Sequence, residues 1–190
     1  MNRSEVVEQA RAGGARLVRF LYCDNANVVR GKAAHVGALA DFVDSGIGLT
    51  VAMQGFCLTE HLAPGSALGP VGEVRLAPDL DTFAVLPYAP REARLLCDMA
   101  TLDGEPWENC PRSFLKRMAE RAARAGIAVQ AGFEHEFYLA RESGGQFVPA
   151  DDSLCFSSDG MDRAGAVAVL AARRRRTVSV RAGGARGCDQ

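Results

Sequence analysis

The chain has 190 residues, a length that fits one large domain or two small ones, and 48% of them are hydrophobic, enough for a core. Its formal net charge is −1, but six arginines and one aspartate follow residue 172, so the preceding chain is acidic. An acidic body argues against general nucleic-acid binding. The six cysteines stand singly, without a C-x-x-C pair, which argues against a zinc ribbon or a thioredoxin-like site. Because the N-terminus lacks the apolar core of a targeting signal, we expect reduced thiols in a cytoplasmic protein.

The first elements of the chain predict a helix followed by a β-hairpin. Ser4 is placed to cap a short helix that ends at a Gly-Gly pair. The apolar run Leu17–Cys23 predicts a buried strand, and residues 24–27 have the composition of a turn. Residues 28–35 then predict the second strand of the hairpin.

The next elements predict a small mixed sheet with one helix across it, an α+β unit. A second helix is expected from about Val36 to Gly46, and the apolar residues 47–56 are either a strand or a buried loop. Residues 62–72 are rich in Gly, Pro and Ala and predict a long loop. Three strand-like runs follow, separated by Pro78-Asp79 and by a Pro-Tyr-Ala-Pro turn: residues 74–76, 82–86 and 93–99.

A domain boundary is expected near residues 102–109, which contain an Asp-Gly-Glu-Pro turn. Pro111 favours the first position of a helix, and Gly126 is placed to end it. The helix has an apolar face, made mainly by Phe114, Leu115 and Met118. Residues 127–139 are strand-like, and a Ser-Gly-Gly turn follows them.

Two carboxylates, Glu134 and Glu136, lie within the apolar residues 132–139. On a strand, the side-chain period of two would place both on one face and His135 on the other. Like charges on one face repel unless a cation lies between them, and Mg²⁺ and Mn²⁺ prefer carboxylate oxygens. The pair therefore predicts ligands of a divalent metal ion, with a solvated edge strand as the alternative. We expect His135 to pack or hydrogen-bond on the opposite face rather than to bind metal.

Several motifs follow one another in the order and spacing of one known family. They are Val18-Arg19-Phe20-Leu21-Tyr22-Cys23-Asp24, Arg30-Gly31-Lys32, Pro78-Asp79, Leu86-Pro87-Tyr88, Ala93-Arg94-Leu95-Leu96-Cys97-Asp98, Asp103-Gly104-Glu105-Pro106, Cys110-Pro111-Arg112 and Gly132-Phe133-Glu134-His135-Glu136-Phe137. Together they cover about residues 17–163. In this order they resemble the N-terminal portion of the glutamine synthetase family.

The resemblance implies a β-grasp domain over residues 12–101 and the incomplete start of a catalytic α/β domain over residues 106–166. Family members use ATP to phosphorylate the side-chain carboxylate of glutamate, and ammonia or another amine then displaces phosphate to give a γ-glutamyl amide. Mg²⁺ or Mn²⁺ neutralises the phosphates, and by position Glu134 and Glu136 would each ligate a different ion. Members form rings with active sites between subunits, so we expect a homo-oligomer without nucleic-acid or membrane partners.

One stretch departs from the family pattern in a way that concerns the amine. Glutamine synthetases carry an aspartate there, in an Asp-Gly-Ser-Ser-like run that helps to bind ammonium. Residues 48–54 correspond to that run, and no carboxylate lies between Asp44 and Glu60. A neutral, apolar wall would suit an uncharged or larger amine, so an alkylamine or a polyamine is an alternative to ammonia.

The end of the chain departs from the family as well. The family's remaining metal ligands and substrate-binding arginines would lie beyond the last residue. Residues 167–190 are dominated by Arg, Ala and Gly, and we expect them to be disordered or the product of a shifted reading frame. The chain would then be incomplete and inactive by itself. The alternative function is a non-catalytic β-grasp fragment that acts at most in assembly.

Overall fold

The structure is a computed structural model that describes residues 1–132 and 140–149. The chain divides into two compact units, Met1–Arg121 and Ala122–Gln190, each described by itself below. In the part of the chain that the structure describes, none of the helices has the length and apolar character needed to cross a bilayer.

The first helix, α1 (Arg3–Ala12), is capped by Asn2, and the prediction that Ser4 caps it was wrong. The Asn2 side chain accepts a hydrogen bond from the backbone N–H of Glu5 at 3.0 Å. The Glu5 carboxylate in turn accepts one from the backbone N–H of Asn2 at 2.8 Å. This reciprocal pair needs a glutamate three residues after the cap, a spacing that Asn2 satisfies and Ser4 does not.

The predicted hairpin is confirmed as strands β1 (Leu17–Cys23) and β2 (Val29–His35), which pair antiparallel. Asp24 closes its turn, since its carboxylate accepts the backbone N–H of Val28 at 2.8 Å. Asn27 has φ 64°, the left-handed conformation that asparagine tolerates best among residues with a side chain.

From β2, at one edge of the sheet, the chain next passes to the strand at the opposite edge. A 3₁₀ turn (Val36–Ala38) leads into α2 (Leu39–Ser45), and Gly46 ends this helix. Gly46 has φ 66°, and a Cβ there would meet the carbonyl oxygen of Leu76 at 2.9 Å, so this position requires glycine. The ambiguous stretch after it forms a short strand, β3 (Ile47–Thr50), and a second 3₁₀ turn (Val51–Gln54).

The last two strands of the sheet are β4 (Glu73–Leu86) and β5 (Ala89–Ala100). The prediction of separate strands on either side of Pro78-Asp79 was wrong, because β4 runs through both. The register shifts between Asp79 and Ala84, and bulges of this kind are where a sheet accepts proline. Within the bulge, the Thr82 hydroxyl accepts the backbone N–H of Leu96 at 2.8 Å.

The five strands form one sheet in the order β2-β1-β5-β4-β3, with β1 and β5 parallel and the other pairs antiparallel. The Lys32 ammonium of β2 donates to the Gly48 carbonyl of β3 at 2.6 Å, so the two edges of the sheet approach each other. The predicted α+β class is confirmed, with a nearly closed, β-grasp-like sheet. Its core includes Phe20, Leu39, Leu76, Leu95 and Met99, all fully buried.

The segment after β5 folds back on that strand before the third helix begins. Trp107 donates its backbone N–H to the carbonyl of Met99 at 2.9 Å. The buried Cys110 accepts the backbone N–H of Met99 at 3.2 Å through its sulfur. Helix α3 (Pro111–Arg124) starts at the predicted proline. Its apolar face is exposed within the described residues, since Phe114 is 55% and Leu115 57% accessible.

In the second unit, the described residues include the last residues of α3 and one hairpin, β6 (Ala140–Ser143) and β7 (Gln146–Pro149). Gly144 and Gly145 make the predicted turn with φ 60° and 78°, values at which side chains are strained. The strand predicted over residues 127–139 was wrong for its first part, because residues 127–132 form no strand. The rest of that prediction lies outside the described residues.

Candidate functional site

The predicted metal ligands Glu134 and Glu136 lie outside the described residues, and His135 lies between them. Their common orientation on one face of a strand therefore stays a prediction. Among the residues that the structure does describe, no three His, Cys, Asp or Glu side chains group as metal ligands would.

Residues 48–54, the stretch predicted to face the amine, run from β3 into the second 3₁₀ turn. Leu49 and Ala52 point into the core, each 6% exposed. Thr50 is exposed, and Val51 and Met53 are half-buried. The surface that this segment can offer to a ligand is therefore one hydroxyl beside two apolar side chains, with Leu49 and Ala52 turned away from it.

A carboxylate from the neighbouring strand lies over this segment. A Cβ added at Gly48 would lie 2.4 Å from the Oε1 of Glu73, so the end of that flexible side chain lies directly over Gly48. Glu73 pairs with Arg75 at 3.2 Å and is half exposed. The sequence stretch itself is free of acids, but the fold supplies one from β4, and sequence spacing gave no sign of it.

Gln54 ends the segment inside the protein. It is 2% exposed, and its side-chain amide donates to the Met99 sulfur at 3.3 Å. Its backbone carbonyl accepts a hydrogen bond from the Asn25 side chain at 3.1 Å. The turn of the β1–β2 hairpin thus holds the C-terminal end of residues 48–54.

Residues 55–63 form a closed loop directly after this segment. The backbone N–H of Ala63 donates to the Gly55 carbonyl at 2.8 Å, and that of Cys57 donates to the His61 carbonyl at 2.9 Å. Phe56 and Leu62 face each other as an isolated β-bridge. Glu60 lies at the tip with φ 63°, a conformation uncommon for a residue with a long side chain.

Arg30 joins the hairpin to the tip of this loop. Its Nε donates to the Asp24 carboxylate at 2.5 Å, and its two terminal nitrogens donate to the Glu60 carboxylate at 3.0 and 3.1 Å. The guanidinium also lies over the Phe56 ring, with Cζ 5.9 Å from the centroid. The hydrogen bond from Arg30 holds the pKa of Glu60 below its ordinary value. Arg30 belonged to a family motif, but its partner in the loop was not predictable from spacing.

Cys57 lies on the same loop with two polar neighbours. Its sulfur is 3.0 Å from the Thr59 hydroxyl, which is 3.1 Å from Nδ1 of His61. The Thr59 hydroxyl and the backbone N–H groups of His61 and Thr59 lower the pKa of the Cys57 thiol to about 7. No sequence motif indicated this environment.

A second charged cluster joins the sheet to α3. Arg112 donates to Asp98 at 2.7 Å and to Asp79 at 2.6 Å, and Lys116 donates to Asp98 at 2.6 Å. Lys116 also lies 3.5 Å from the Asp79 carboxylate. Arg112 thus forms ion pairs with both β4 and β5, and the side chains of Asp79 and Asp98 meet on the outer face of these strands.

Two family matches cover most of the chain, and they follow each other along it. The glutamine synthetase N-terminal domain matches residues 1–107, and the glutamine synthetase catalytic domain matches residues 108–176. The chain therefore belongs to the glutamine synthetase family. The resemblance drawn from the motifs is confirmed.

The names of similar proteins specify different products. A glutamine synthetase of Methanococcus maripaludis is 30% identical over 83% of this chain and 36% of its own length. A gamma-glutamylanilide synthase of Acinetobacter is 30% identical over 72% of this chain and 30% of its own length. A gamma-glutamylpolyamine synthetase of Streptomyces coelicolor is 34% identical over 72% of this chain and 30% of its own length. The chain thus spans about a third of the length of these relatives.

Solved structures show the same fold. A structure described as a novel glutamine synthase homolog superposes with TM-score 0.53 and 31% identity, covering 58% of this chain and 27% of that one. A structure of GmaS in complex with ADP superposes with TM-score 0.61 over 88% of this chain and 37% of that one. Because its identity is only 22%, this second likeness supports the fold alone.

Proposed function

We propose that the chain belongs to an ATP-dependent ligase that forms a γ-glutamyl amide from glutamate and ammonia or an amine. The observation that carries the proposal is the colinear match of both family domains over residues 1–176. Glutamate, ATP and the amine are then the small-molecule partners. A homo-oligomer with sites between subunits is part of the proposal, and a need for ATP is consistent with a cytoplasmic location.

The proposed metal ligands are Glu134 and Glu136, holding Mg²⁺ or Mn²⁺. Their support is the chemistry of the donor set, since hard divalent ions prefer carboxylate oxygens. When bound, such ions would neutralise the phosphates of ATP. Two carboxylates are fewer ligands than a multi-ion site needs, so further ligands must come from elsewhere in the assembled enzyme.

Residues 48–54 would determine which amine reacts. Thr50, Val51 and Met53 form the accessible surface of this segment, and they carry no charge. Such a surface favours an uncharged or larger amine over ammonium. Glu73 lies beside this surface, so its carboxylate could pair with a second ammonium group of an amine such as a polyamine.

ADP release is the direct test of the proposal. The purified chain is incubated with glutamate, ATP, Mg²⁺ or Mn²⁺, and ammonia, an alkylamine or a polyamine in turn. The chain by itself should release none, because it lacks the further metal ligands. In a full-length relative that carries these residues, we expect release that depends on both glutamate and an amine, and that Glu134→Gln and Glu136→Gln abolish. Glu142→Gln is the matched control, since Glu142 is an exposed glutamate on β6. Release that persists in both variants would contradict the metal assignment.

The second candidate is a non-catalytic β-grasp module that acts in assembly. The observation that favours it is the first compact unit, Met1–Arg121, whose sheet has a buried core of its own. Absence of ADP release with every amine and both metals, from a folded full-length relative that carries these residues, supports this module over the ligase. Equal rates with ammonia and with the larger amines would contradict the proposed role of residues 48–54.

A further inference from the structure

The loop of residues 55–63 is attached to the β1–β2 hairpin at two points, whereas a surface ion pair would attach it at one. The loop is held at its tip, by Arg30 on Glu60, and at its base, by Asn25 on the Gln54 carbonyl. Both holding residues come from one hairpin. A loop held at two points by the same rigid element has little freedom to shift.

We infer that Arg30 anchors this loop and, through it, the accessible surface of residues 50–53. A backbone hydrogen bond joins the loop to this surface, because the N–H of Gly55 donates to the Ala52 carbonyl at 2.8 Å. A consequence of this anchoring for the choice of amine rests on the proposed function, in which that surface selects the amine. The anchoring itself does not depend on any activity.

The geometry at the tip explains why an arginine stands there. The guanidinium makes two parallel hydrogen bonds to Glu60 while its Nε is used by Asp24, and a lysine ammonium has no such fork. Asp24 is fully buried and also accepts the backbone N–H of Val28, so the arginine is itself oriented before it meets the loop.

The backbone of Glu60 gives an independent reason for the anchor. Glu60 has φ 63°, which a glutamate adopts only where other contacts compensate for the crowding of its Cβ. The backbone N–H of Glu60 donates to the Cys57 carbonyl at 3.1 Å, so the tip is a tight turn. The ion pair with Arg30 holds the Glu60 side chain against the β1–β2 hairpin.

Hydrogen–deuterium exchange of the whole chain, read by mass spectrometry without substrates, tests the inference. In Glu60→Gln, which leaves the Arg30–Asp24 pair intact, we expect the amides of residues 55–63 to exchange about tenfold faster, as when a charge-assisted hydrogen bond is lost. Exchange in β4 and β5 should stay as in the unaltered chain. Glu92→Gln is the matched control, since Glu92 pairs with Arg19 on the other strand of the hairpin.

Arg30→Lys is the second variant, and it separates charge from geometry. It keeps a cation beside Asp24 but lacks the fork, so the loop should again exchange about tenfold faster while the sheet stays protected. Unchanged loop exchange in both variants would overturn the inference. Equal acceleration across loop and sheet would also overturn it, because the pair would then be a general stabiliser.

Alkylation of Cys57 gives a second readout of the same opening. Because its thiol lies on the loop, iodoacetamide should label the peptide with Cys57 faster in Glu60→Gln than in Glu92→Gln at a pH of about 10, where the thiol ionises with or without the loop's hydrogen bonds. An equal labelling rate in the two variants would count against the inference. The proposed ligase activity could fail while both readouts hold, since neither uses substrate.

Discussion

Two corners of the molecule are built alike, each with one arginine between two aspartate or glutamate carboxylates. Arg30 lies between Asp24 and Glu60, and Arg112 lies between Asp79 and Asp98. They differ in burial. The Asp24 side chain is fully buried, whereas Asp79 and Asp98 are each about a quarter exposed.

The two corners also differ in redundancy. In the Arg112 corner a second cation, Lys116, contacts both aspartates. Among the described residues, the ion pairs of Asp24 and Glu60 are both with Arg30. Removing the partner of a buried carboxylate that has one cation costs more stability than removing one of two cations shared by two partly exposed carboxylates. We therefore expect the Arg30 corner to tolerate change less well, in the following order.

The largest effect is expected for Asp24→Ala. The variant removes a buried acceptor of the Val28 N–H and of the Arg30 guanidinium. Hydrogen bonds of this kind contribute enough for a loss of about 3 kcal/mol in the free energy of unfolding. Urea denaturation measures it, and a loss under about 1 kcal/mol would show that the corner is no more sensitive than a surface pair.

A smaller effect is expected for Arg112→Gln, because Lys116 remains to neutralise both aspartates. We expect a loss of about 1 kcal/mol in the free energy of unfolding, reduced by the partial exposure of the group. Arg121→Gln, at an exposed position on the same helix, is the control and should change little. The double variant with Lys116→Gln should lose more than the sum of the single variants.

The stability that each corner contributes is expected to fall as the pH is lowered. Burial would raise the pKa of Asp79, but the hydrogen bond and charge of Arg112, with Lys116, outweigh it and lower the pKa below 3.8. The hydrogen bond from Arg30 lowers the pKa of Glu60 below 4.5. Both groups contribute stability above those ordinary values, and the contribution is lost as the pH falls through the lower pKa of the folded state.

Acid titration of local opening would distinguish the corners. Amide exchange in residues 55–63, corrected for the intrinsic effect of pH, should rise as the pH falls below about 4.5, and Glu60→Gln should remove that rise. A rise of equal size in the Glu60→Gln variant would show that another group controls the loop. At the Arg112 corner, the corresponding loss should begin below about 3.8, the ordinary pKa of Asp79.

The smallest effect on stability is expected from the thiol on the loop. Thr59→Val removes the hydroxyl that lies nearest to Cys57 and should leave unfolding unchanged. It should move the pH midpoint of Cys57 alkylation upward from about 7 toward the ordinary value of 9.0. Cys97 is the internal contrast, because burial raises its pKa to about 12 and should keep it unreactive. A midpoint unchanged by Thr59→Val would exclude the hydroxyl as a cause.

The sequence by itself determined the order of the elements and the family. Periodicity and turn residues were sufficient for β1, β2, α2 and α3, because short-range patterns of apolar residues, glycine and proline act through contacts between near neighbours. The same local rules misplaced the first helix cap, since Asn2 and Ser4 are both good caps and only the reciprocal bond with Glu5 chooses between them. They also divided β4 at Pro78, because a bulge is visible only once β5 lies beside it.

Only the tertiary structure decided how the candidate site is assembled. Arg30 and Glu60 are thirty positions apart, and Glu73 lies over Gly48 from the neighbouring strand, so neither contact has a sequence signature. Leu49 is apolar in the sequence whether it faces a ligand or the core, and the pairing of β3 with β4 settled that it faces the core. Local chemistry selects the elements, but which side chains meet depends on the register and closure of the sheet, which distant residues set together.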